Sequence, residues 1–258
     1  MKHTSTKITF LGTGTSSGVP MIGCNCAVCS STDSKDNRLR SSILVNTNDF
    51  TFVIDTTPDF RYQMLRTKTN TLNAVVFTHS HKDHIAGLDD IRAYNYLMKM
   101  PMNVYASAMT NEALKKDFYY AFAEKKYPGV PEIILHDIDE TPFIIGGITL
   151  QPILVWHHKM PVYGYRFNDF TYITDANRID EDQKEKIKGS KVLVLNALRR
   201  EPHISHFTLQ QAITLAEELQ IPQVYFTHIS HQLGLHKEVE LELPAHIHLA
   251  YDGLEVEV

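Results

Sequence analysis

The stretch FTHSHKDHIAG, residues 77–87, places three histidines and one aspartate within six positions. An apolar run before it predicts a buried strand and a helix is predicted to begin near its end, so the motif occupies a tight turn. In an extended turn, His79 and His81 project to the same side. Asp83 and His84 can then face a neighbouring point. Two imidazoles at one point, and a carboxylate with an imidazole at the next, predict a site for two metal ions.

Runs rich in Val, Ile, Phe or Tyr recur along the chain and end in Asp, Asn, Thr or Gly, which is typical of strands. The predicted strands are residues 7–11, 42–46, 50–55, 73–78, 148–155, 170–174, 191–196, 223–227 and 246–250. The predicted helices are residues 84–98, 111–126, 180–188 and 209–219. Thr208 and Gln211 fit a capping box at the start of the last helix. This mixture predicts stacked layers, with sheets inside and helices outside.

The chain has 258 residues and no break in composition, which predicts a single domain over residues 1–258. Residues 101–142 are predicted to form a helical insertion in it. Hydrophobic residues at 43% and charged residues at 21% are typical of a globular protein. Because the net charge is −5 and no block of lysine or arginine stands out, binding of nucleic acid by charge alone is not expected. No apolar run approaches the length of a membrane span, so no membrane partner is expected.

The stretch GCNCAVCSS, residues 23–31, holds all three cysteines of the chain. Spacings of one and two residues favour metal ligation over a cluster of reactive or buried thiols. A closed zinc site needs a fourth ligand, and His231, near the far end of the chain, is the natural candidate. Asp33, His3 and His236 are the alternatives. An odd number of cysteines, and a start that lacks an apolar signal core, predict a protein of the reducing cytoplasm.

The order H-x-H-x-D-H after an apolar strand resembles the signature of the metallo-β-lactamase fold superfamily. The resemblance implies an α/β fold, α+β in some schemes, in which two sheets lie between helices as an αββα sandwich. It also implies a dinuclear metal site at one edge of the paired sheets. One metal ion would then be held by His79, His81 and His157, the other by Asp83, His84 and His228, and Asp175 would bridge them.

Three later segments supply the ligands that the superfamily adds to this motif. They are VWHHKMPVYGY at residues 155–165, FTYITDA at residues 170–176 and VYFTHISH at residues 224–231. His157 and His158 are adjacent and point to opposite sides at a strand end, so only one of them can reach the metal ion. The resemblance favours His157, and the spacing alone leaves His158 open.

A narrower resemblance rests on LGTGTSSGVP at residues 11–20, the cysteine cluster, the histidine motif and FTHISHQ near the C-terminus. Together these are similar to the phosphoribosyl cyclic-phosphate phosphodiesterase (PhnP-like) family over nearly the whole chain, least well at residues 101–147. The resemblance implies two active-site ions, manganese or zinc, and one structural zinc ion held by Cys24, Cys26, Cys29 and His231. Family members are often dimers, so a homodimer is compatible, with Tyr119 and Tyr120 as candidates for its interface or for the core.

The stretch ISHFTLQQA, residues 204–212, places His206 two residues before a predicted helix cap. A helix N-terminus attracts phosphate, and a histidine beside it can protonate a leaving alkoxide. The stretch resembles the H-x-T motif of phosphodiesterase branches of the superfamily, including the tRNA 3′-processing nucleases. Those carry an acidic residue where this chain has Gln211 or Gln210. His206 is the candidate general acid, and His203 is the alternative.

These observations predict a phosphodiesterase that acts on a small or cyclic phosphodiester through a hydroxide bound to two metal ions. Asp83 and His206 are the candidate catalytic residues. The alternative is an RNA-processing endonuclease related to the tRNA 3′-processing nucleases, which the H-x-T motif supports and the acidic charge opposes. A thioesterase or lactonase ranks below the nuclease, and a scaffold without turnover is the remaining alternative.

Overall fold

The computed structural model describes residues 6–47 and 49–258, and within these ranges the chain forms two seven-stranded sheets. The first sheet contains β1 (Lys7–Gly12), β2 (Ser42–Asn46), β3 (Thr51–Ile54), β4 (Ala74–Val76), β5 (Met102–Ser107), β6 (Ile133–Ile138) and β14 (Glu255–Glu257). The second contains β7 (Phe143–Ile145), β8 (Ile148–His157), β9 (Met160–Phe167), β10 (Phe170–Tyr172), β11 (Val192–Asn196), β12 (Gln223–Thr227) and β13 (Ile247–Leu249). The strand orders are β14-β1-β2-β3-β4-β5-β6 and β13-β12-β11-β10-β9-β8-β7.

Helices connect these strands and cover the outer faces of both sheets. They are α1 (Phe60–Thr67), α2 (Lys82–Ile85), α3 (Arg92–Met98), α4 (Ala108–Asp117), α5 (Tyr119–Phe122), α6 (Glu181–Ile187), α7 (Leu209–Glu218) and α8 (His236–Glu240). Short 3-10 turns occupy Ser34–Asp36 and Leu88–Ile91. None of the helices in the described part of the chain combines the length and the apolar character that a bilayer crossing requires.

Among the described residues, three hydrophobic cores hold the layers together. The central core lies between the sheets, where Phe52 of β3 meets Phe167 of β9 with ring centroids 5.9 Å apart. A second core packs α1, α3 and α4 against the first sheet, for example through Met64 and Leu114. The third packs α6, α7 and α8 against the second sheet. The predicted αββα sandwich is confirmed, because each sheet buries one face against the other sheet and one face against helices.

Parallel pairing determines where the functional loops meet. Strands β3 to β6 run parallel in the first sheet, and β10 to β13 run parallel in the second. The loops that follow parallel strands emerge at the same edge of a sheet, where open α/β sheets bind ligands. The histidine motif follows β4 and therefore lies at this edge.

The prediction of a helical insertion over residues 101–142 is wrong. The segment contains β5 and β6, which pair in parallel and extend the first sheet, with α4 and α5 between them. The alternating burial of β5 is a strand pattern, but the helical pattern of the residues that follow it is stronger.

The predicted helix over residues 84–98 is interrupted at Gly87. This residue lies against α1 so closely that a Cβ atom here would be 2.1 Å from the carbonyl oxygen of Thr57. The chain therefore forms α2, a 3-10 turn and α3 in succession. The capping box of α7 is confirmed, since Gln211 N–H donates to the hydroxyl of Thr208 at 3.2 Å and Thr208 N–H donates to the Gln211 side chain at 2.9 Å.

Candidate metal centre

The side chains of this centre come from residues at or just after the ends of strands, at the edge where the histidine motif lies. β12 leads directly into His228, β8 ends at His157, and His79 follows β4 by three residues. Asp55, Asp175 and His228 have φ angles of 69°, 54° and 56°, respectively. Such left-handed conformations cost non-glycine residues about 1–3 kcal/mol and cluster at functional sites. The strand ends are thus turned so that their side chains converge.

Three imidazoles form the first cluster. The ring centroids of His79 and His81 lie 4.7 Å apart, and His157 lies 5.1 Å from His81 and 5.8 Å from His79. Nδ1 of His79 contacts the Thr78 hydroxyl at 2.9 Å, and Nδ1 of His157 donates to the carbonyl oxygen of Ser205 at 2.9 Å. Nε2 of His79 is buried and has no hydrogen-bond partner among the described residues. A buried nitrogen without a partner is rare, and it fits metal ligation.

The second cluster has four members, whose donor atoms lie within 4.8 Å of one another: Asp83, His84, Asp175 and His228. Nδ1 of His84 lies 2.7 Å from Oδ2 of Asp55, and Nε2 of His228 lies 3.3 Å from the Thr15 hydroxyl. The opposite ring nitrogens, Nε2 of His84 and Nδ1 of His228, are buried and lack hydrogen-bond partners in the described part of the chain. Each ring therefore keeps one nitrogen free, and that nitrogen faces the cluster.

The carboxylate of Asp175 lies between the clusters. Its Oδ2 is 3.2 Å from Nε2 of His84 and 3.2 Å from Nδ1 of His228. Its Oδ1 is 3.1 Å from Nε2 of His206, and donor atoms of His157, Asp175 and His206 also lie within 4.8 Å of one another. One carboxylate shared by two groups of donors has the geometry expected of a bridging ligand.

Charges in the centre suit divalent cations. Burial lowers the pKa of His79 and lowers that of His228 to about 4, which keeps both imidazoles in the neutral, ligating form. Burial also raises the pKa of Asp175, but attraction by His228 and His84 outweighs it, and the pKa lies well below its usual value. Burial lowers the pKa of His84, but the carboxylates of Asp175, Asp83 and Asp55 outweigh burial, and the pKa lies well above its usual value. Negative charge therefore exceeds positive charge here, and the donor set fits divalent cations.

The three cysteines meet a histidine from the other end of the chain. Nδ1 of His231 lies 3.4 Å from the Sγ atoms of both Cys24 and Cys26, and the donor atoms of all four residues, including Cys29, lie within 4.8 Å of one another. Sulfur and nitrogen ligands of a tetrahedral zinc ion stand about 3.6 Å apart, which agrees with this spacing. The backbone N–H of Cys29 and the His231 side chain lower the pKa of Cys26 to about 6.

His206 lies on the loop between β11 and α7 and is buried beside the centre. Its ring centroid is 4.6 Å from that of His157 and 4.9 Å from that of His228. On the far side of the ring, Nδ1 lies 3.0 Å from Nδ1 of His203 and 3.1 Å from the Ser205 hydroxyl. One ring edge of His206 thus faces Asp175, and the other faces its own loop.

Comparison with known proteins identifies the family. Residues 51–229 match the family described as the Beta-lactamase superfamily domain. The crystal structure of a diphosphatase from the PhnP family is 41% identical, with a TM-score of 0.93 over 98% of this chain and 97% of that chain. The chain belongs to the PhnP family of the β-lactamase superfamily. The family predicted from the histidine and cysteine motifs is confirmed, and the chain is a member of a hydrolase family.

One further protein is similar in sequence over part of its own length, and another shares only the fold. A protein named octanoyltransferase from Porphyromonas gingivalis (strain ATCC BAA-308 / W83) is 38% identical over 248 residues, which are 95% of this chain and 50% of that protein. The chain thus spans about half the length of this curated relative. Human tRNase Z, short form, has a TM-score of 0.68 at 17% identity, covering 97% of this chain and 98% of that one, and shares the fold.

Asp55 is the residue of the PhnP-family site that sequence reasoning missed. It is fully buried, and besides contacting His84 it accepts hydrogen bonds from the Thr78 N–H at 2.9 Å and the Thr78 hydroxyl at 2.8 Å. Burial raises the pKa of this carboxyl, and the charge of His84 opposes the rise. The available signal was an aspartate at the end of a predicted strand, which also occurs in ordinary turns.

The alternative ligands lie elsewhere. His158 is exposed, and its backbone N–H donates to Asn177. Nδ1 of His236 lies 3.0 Å from a guanidinium nitrogen of Arg38, and the carboxylate of Asp33 caps the Ser34–Asp36 turn. His3 lies outside the described residues. His157 and His231 are therefore the histidines that the structure brings to the two predicted sites.

Proposed function

We propose that this protein is a metal-dependent phosphodiesterase that hydrolyses a small or cyclic phosphodiester. The observation that carries the proposal is the contact of Nε2 of His206 with Oδ1 of Asp175 at 3.1 Å, while Oδ2 of the same carboxylate faces His84 and His228. A proton donor thus stands beside both donor clusters. Ester hydrolysis at phosphorus uses such a pairing, because the attacking oxygen must be activated and the leaving oxygen must be neutralised.

The clusters divide the ligands between two ions. His79, His81 and His157 would hold one ion, Asp83, His84 and His228 would hold the other, and Asp175 would contact both. Bound there, two divalent cations lower the pKa of a water molecule and offset the charge of a phosphate. Manganese and zinc both suit this mixture of nitrogen and oxygen ligands. A third ion, zinc, would close the site of Cys24, Cys26, Cys29 and His231.

The side chain of His206 would act on the leaving group. As the bond between phosphorus and the leaving oxygen breaks, the electron pair stays on that oxygen and the proton on Nε2 of His206 passes to it. The new bond joins phosphorus to the oxygen of a water molecule. One proton of that water returns to His206 after the products leave. The reaction therefore consumes one water and releases a phosphomonoester and an alcohol, or, from a cyclic substrate, one product that carries both groups.

Hydrolysis of a diphosphate is the second candidate, and the similarity to a PhnP-family diphosphatase favours it. A diphosphate ester offers the same type of phosphorus to the same clusters. Its leaving group is a phosphate, which needs less protonation than an alkoxide. Replacement of His206 is therefore expected to slow a phosphodiesterase reaction more than a diphosphatase reaction.

An RNA-processing role is supported by the fold shared with human tRNase Z and by the H-x-T motif. The net charge of −5 opposes it, since contacts to many phosphates need clustered lysine and arginine. Arg200 is paired with Glu242 at 2.8 Å, and Arg199 donates to Gln232 and to the carbonyl oxygen of Pro202. Small phosphodiesters therefore remain the favoured substrates.

The test is a substrate panel on manganese-loaded protein. It contains bis(4-nitrophenyl) phosphate, a cyclic ribose phosphate, a dinucleoside diphosphate, a tRNA precursor and, because of the octanoyltransferase relative, an octanoyl thioester. Asp83→Ala removes a proposed ligand, and Asp90→Ala removes an aspartate of similar exposure on the neighbouring 3-10 turn. We expect turnover of a phosphodiester by the wild type and Asp90→Ala and none by Asp83→Ala. Turnover of the thioester alone would contradict the proposal.

A further inference from the structure

His203 stands directly behind His206. It lies three residues earlier on the same loop and is half-buried, and the two ring centroids are 4.9 Å apart. The Nδ1 atoms of the two rings are 3.0 Å apart, which is hydrogen-bond distance. One of these nitrogens must therefore donate a proton and the other must accept it.

The backbone decides which ring donates. The N–H of Ser205 points at Nδ1 of His203 at 3.3 Å, and a backbone N–H can only donate. Nδ1 of His203 therefore carries a lone pair, and its proton sits on Nε2. Burial lowers the pKa of His203, and the charges of His206 and Arg199 lower it further, which agrees with a neutral ring. The proton between the two histidines consequently belongs to Nδ1 of His206.

Ser205 ties this pair to the metal centre. Its hydroxyl lies 3.1 Å from Nδ1 of His206, and its carbonyl oxygen accepts the hydrogen bond from Nδ1 of His157 at 2.9 Å. The Ser205 hydroxyl can either donate or accept, so it does not by itself fix the proton on Nδ1 of His206, and that role falls to His203. The loop over residues 203–206 thus orients one proposed metal ligand and the proposed proton donor together.

We propose that His203 is a positioning residue for His206. This inference rests on the proposed phosphodiesterase function. By accepting from Nδ1, His203 keeps the ring of His206 turned so that Nε2 faces Asp175 and the substrate. Only Nε2 can then exchange a proton with the leaving oxygen. His203 should therefore matter most for substrates whose leaving groups need protonation.

The first test varies the leaving group. Methyl 4-nitrophenyl phosphate releases a stable phenolate, whereas methyl phenyl phosphate releases a more basic one. Wild type, His203→Ala and His203→Asn are compared on both esters in the manganese-loaded protein. Asn can return an acceptor atom near the position of Nδ1. His246→Ala is the control, since His246 is equally half-buried and lies before β13, far along the chain from the loop.

We expect His203→Ala to lower kcat on the phenyl ester about 10-fold more than on the nitrophenyl ester, which is the scale of losing an orienting partner. His203→Asn should recover most of that difference, and His246→Ala should match the wild type. An equal loss of kcat on both esters in His203→Ala would mean that His203 only supports the loop, and it would overturn the inference. An unchanged kcat on both esters would overturn it as well. A wild type inactive on both esters would count against the phosphodiesterase function itself.

The second test does not depend on turnover. In zinc-loaded protein with ¹⁵N-labelled histidine, NMR reports which ring nitrogen of His206 carries a proton, with His206→Gln supplying the assignment. We expect a protonated Nδ1 in the wild type and in His203→Asn, and exchange of that proton between both nitrogens in His203→Ala. An unchanged His206 signal in His203→Ala would overturn the inference even if no substrate were known.

Discussion

Nδ1 of His84 lies 2.7 Å from Oδ2 of Asp55, and both side chains are almost fully enclosed. An ionised carboxylate can only accept, so Nδ1 of His84 carries the proton that faces Asp55, and Nε2 is the nitrogen that faces the metal centre. Hydrogen bonds from Thr78 hold the carboxylate in turn. A buried aspartate thus fixes the orientation of a proposed metal ligand, in the manner of outer-shell carboxylates in metal sites.

Asp55→Asn should weaken binding of the active-site metal about 10- to 100-fold, because the amide cannot hold the imidazole of His84 as the carboxylate does. Titration of metal-free protein against a chromophoric chelator measures this affinity. The control is Asp252→Asn, which also removes a buried carboxylate with hydrogen bonds but lies beside Arg66. Equal metal affinity in Asp55→Asn and the wild type would show that Asp55 has no role at the centre.

Cys26→Ser should remove one zinc ion per chain and lower Tm by about 5 °C, because the site joins the N-terminal loop to the loop after β12. Hydrogen bonds from the backbone N–H of Cys29 and from His231 lower the pKa of Cys26 to about 6, which favours the thiolate that binds a cation. Metal analysis and a thermal melt measure both effects. Ser30→Ala, an exposed change on the same loop, is the control. Unchanged zinc content in Cys26→Ser would rule out this ligand set.

Stability should depend on pH through His236, which lies against Arg38. Burial, followed by the charge of Arg38, lowers the pKa of His236 to about 4; Lys35 acts in the same direction, and Glu240 and Asp36 oppose it. The unfolded chain takes up this proton near pH 6.5, at about the ordinary pKa of histidine. Between pH 6.5 and 4 the unfolded state therefore binds more protons, and the free energy of unfolding falls as the pH falls.

His236→Asn keeps an acceptor for Arg38 and removes the titrating ring. Urea unfolding of both proteins between pH 7 and 4.5 should show a smaller loss of stability in the variant. Carboxylates and metal ligands titrate in both proteins, so the difference between the two curves isolates His236. Parallel curves would mean that His236 takes up its proton as readily in the folded protein as in the unfolded one.

Much of the fold was predictable because its signals are local. The strands at Ser42–Asn46 and Gln223–Thr227 coincide with their predicted bounds, since each is an apolar run followed by a turn. The capping box at Thr208 is a four-residue pattern that needs no tertiary information. The order of histidines and aspartate in residues 79–84 is likewise local, and it was enough to indicate the metallo-β-lactamase superfamily.

Other features depend on contacts between distant segments and were missed. Strand β5 (Met102–Ser107) precedes a stronger helical pattern and is recognised only by its pairing with β4 and β6. The break at Gly87 arises because the turn packs against the backbone of Thr57. Asp55 gains its role only when β3 and β4 pair in parallel and bring it to His84. None of these contacts has a period or spacing that can be read along the chain.

The most direct test of the central claim is a manganese titration of protein from which the active-site metal has been removed, with bis(4-nitrophenyl) phosphate hydrolysis as the readout. Two ions sharing Asp175 predict that turnover is absent without metal and reaches its maximum at two manganese ions per chain. Asp83→Ala should stay inactive throughout the titration, and Asp90→Ala should follow the wild type. Full turnover without added metal, or an Asp83→Ala variant as active as the wild type, would contradict a dinuclear phosphodiesterase site.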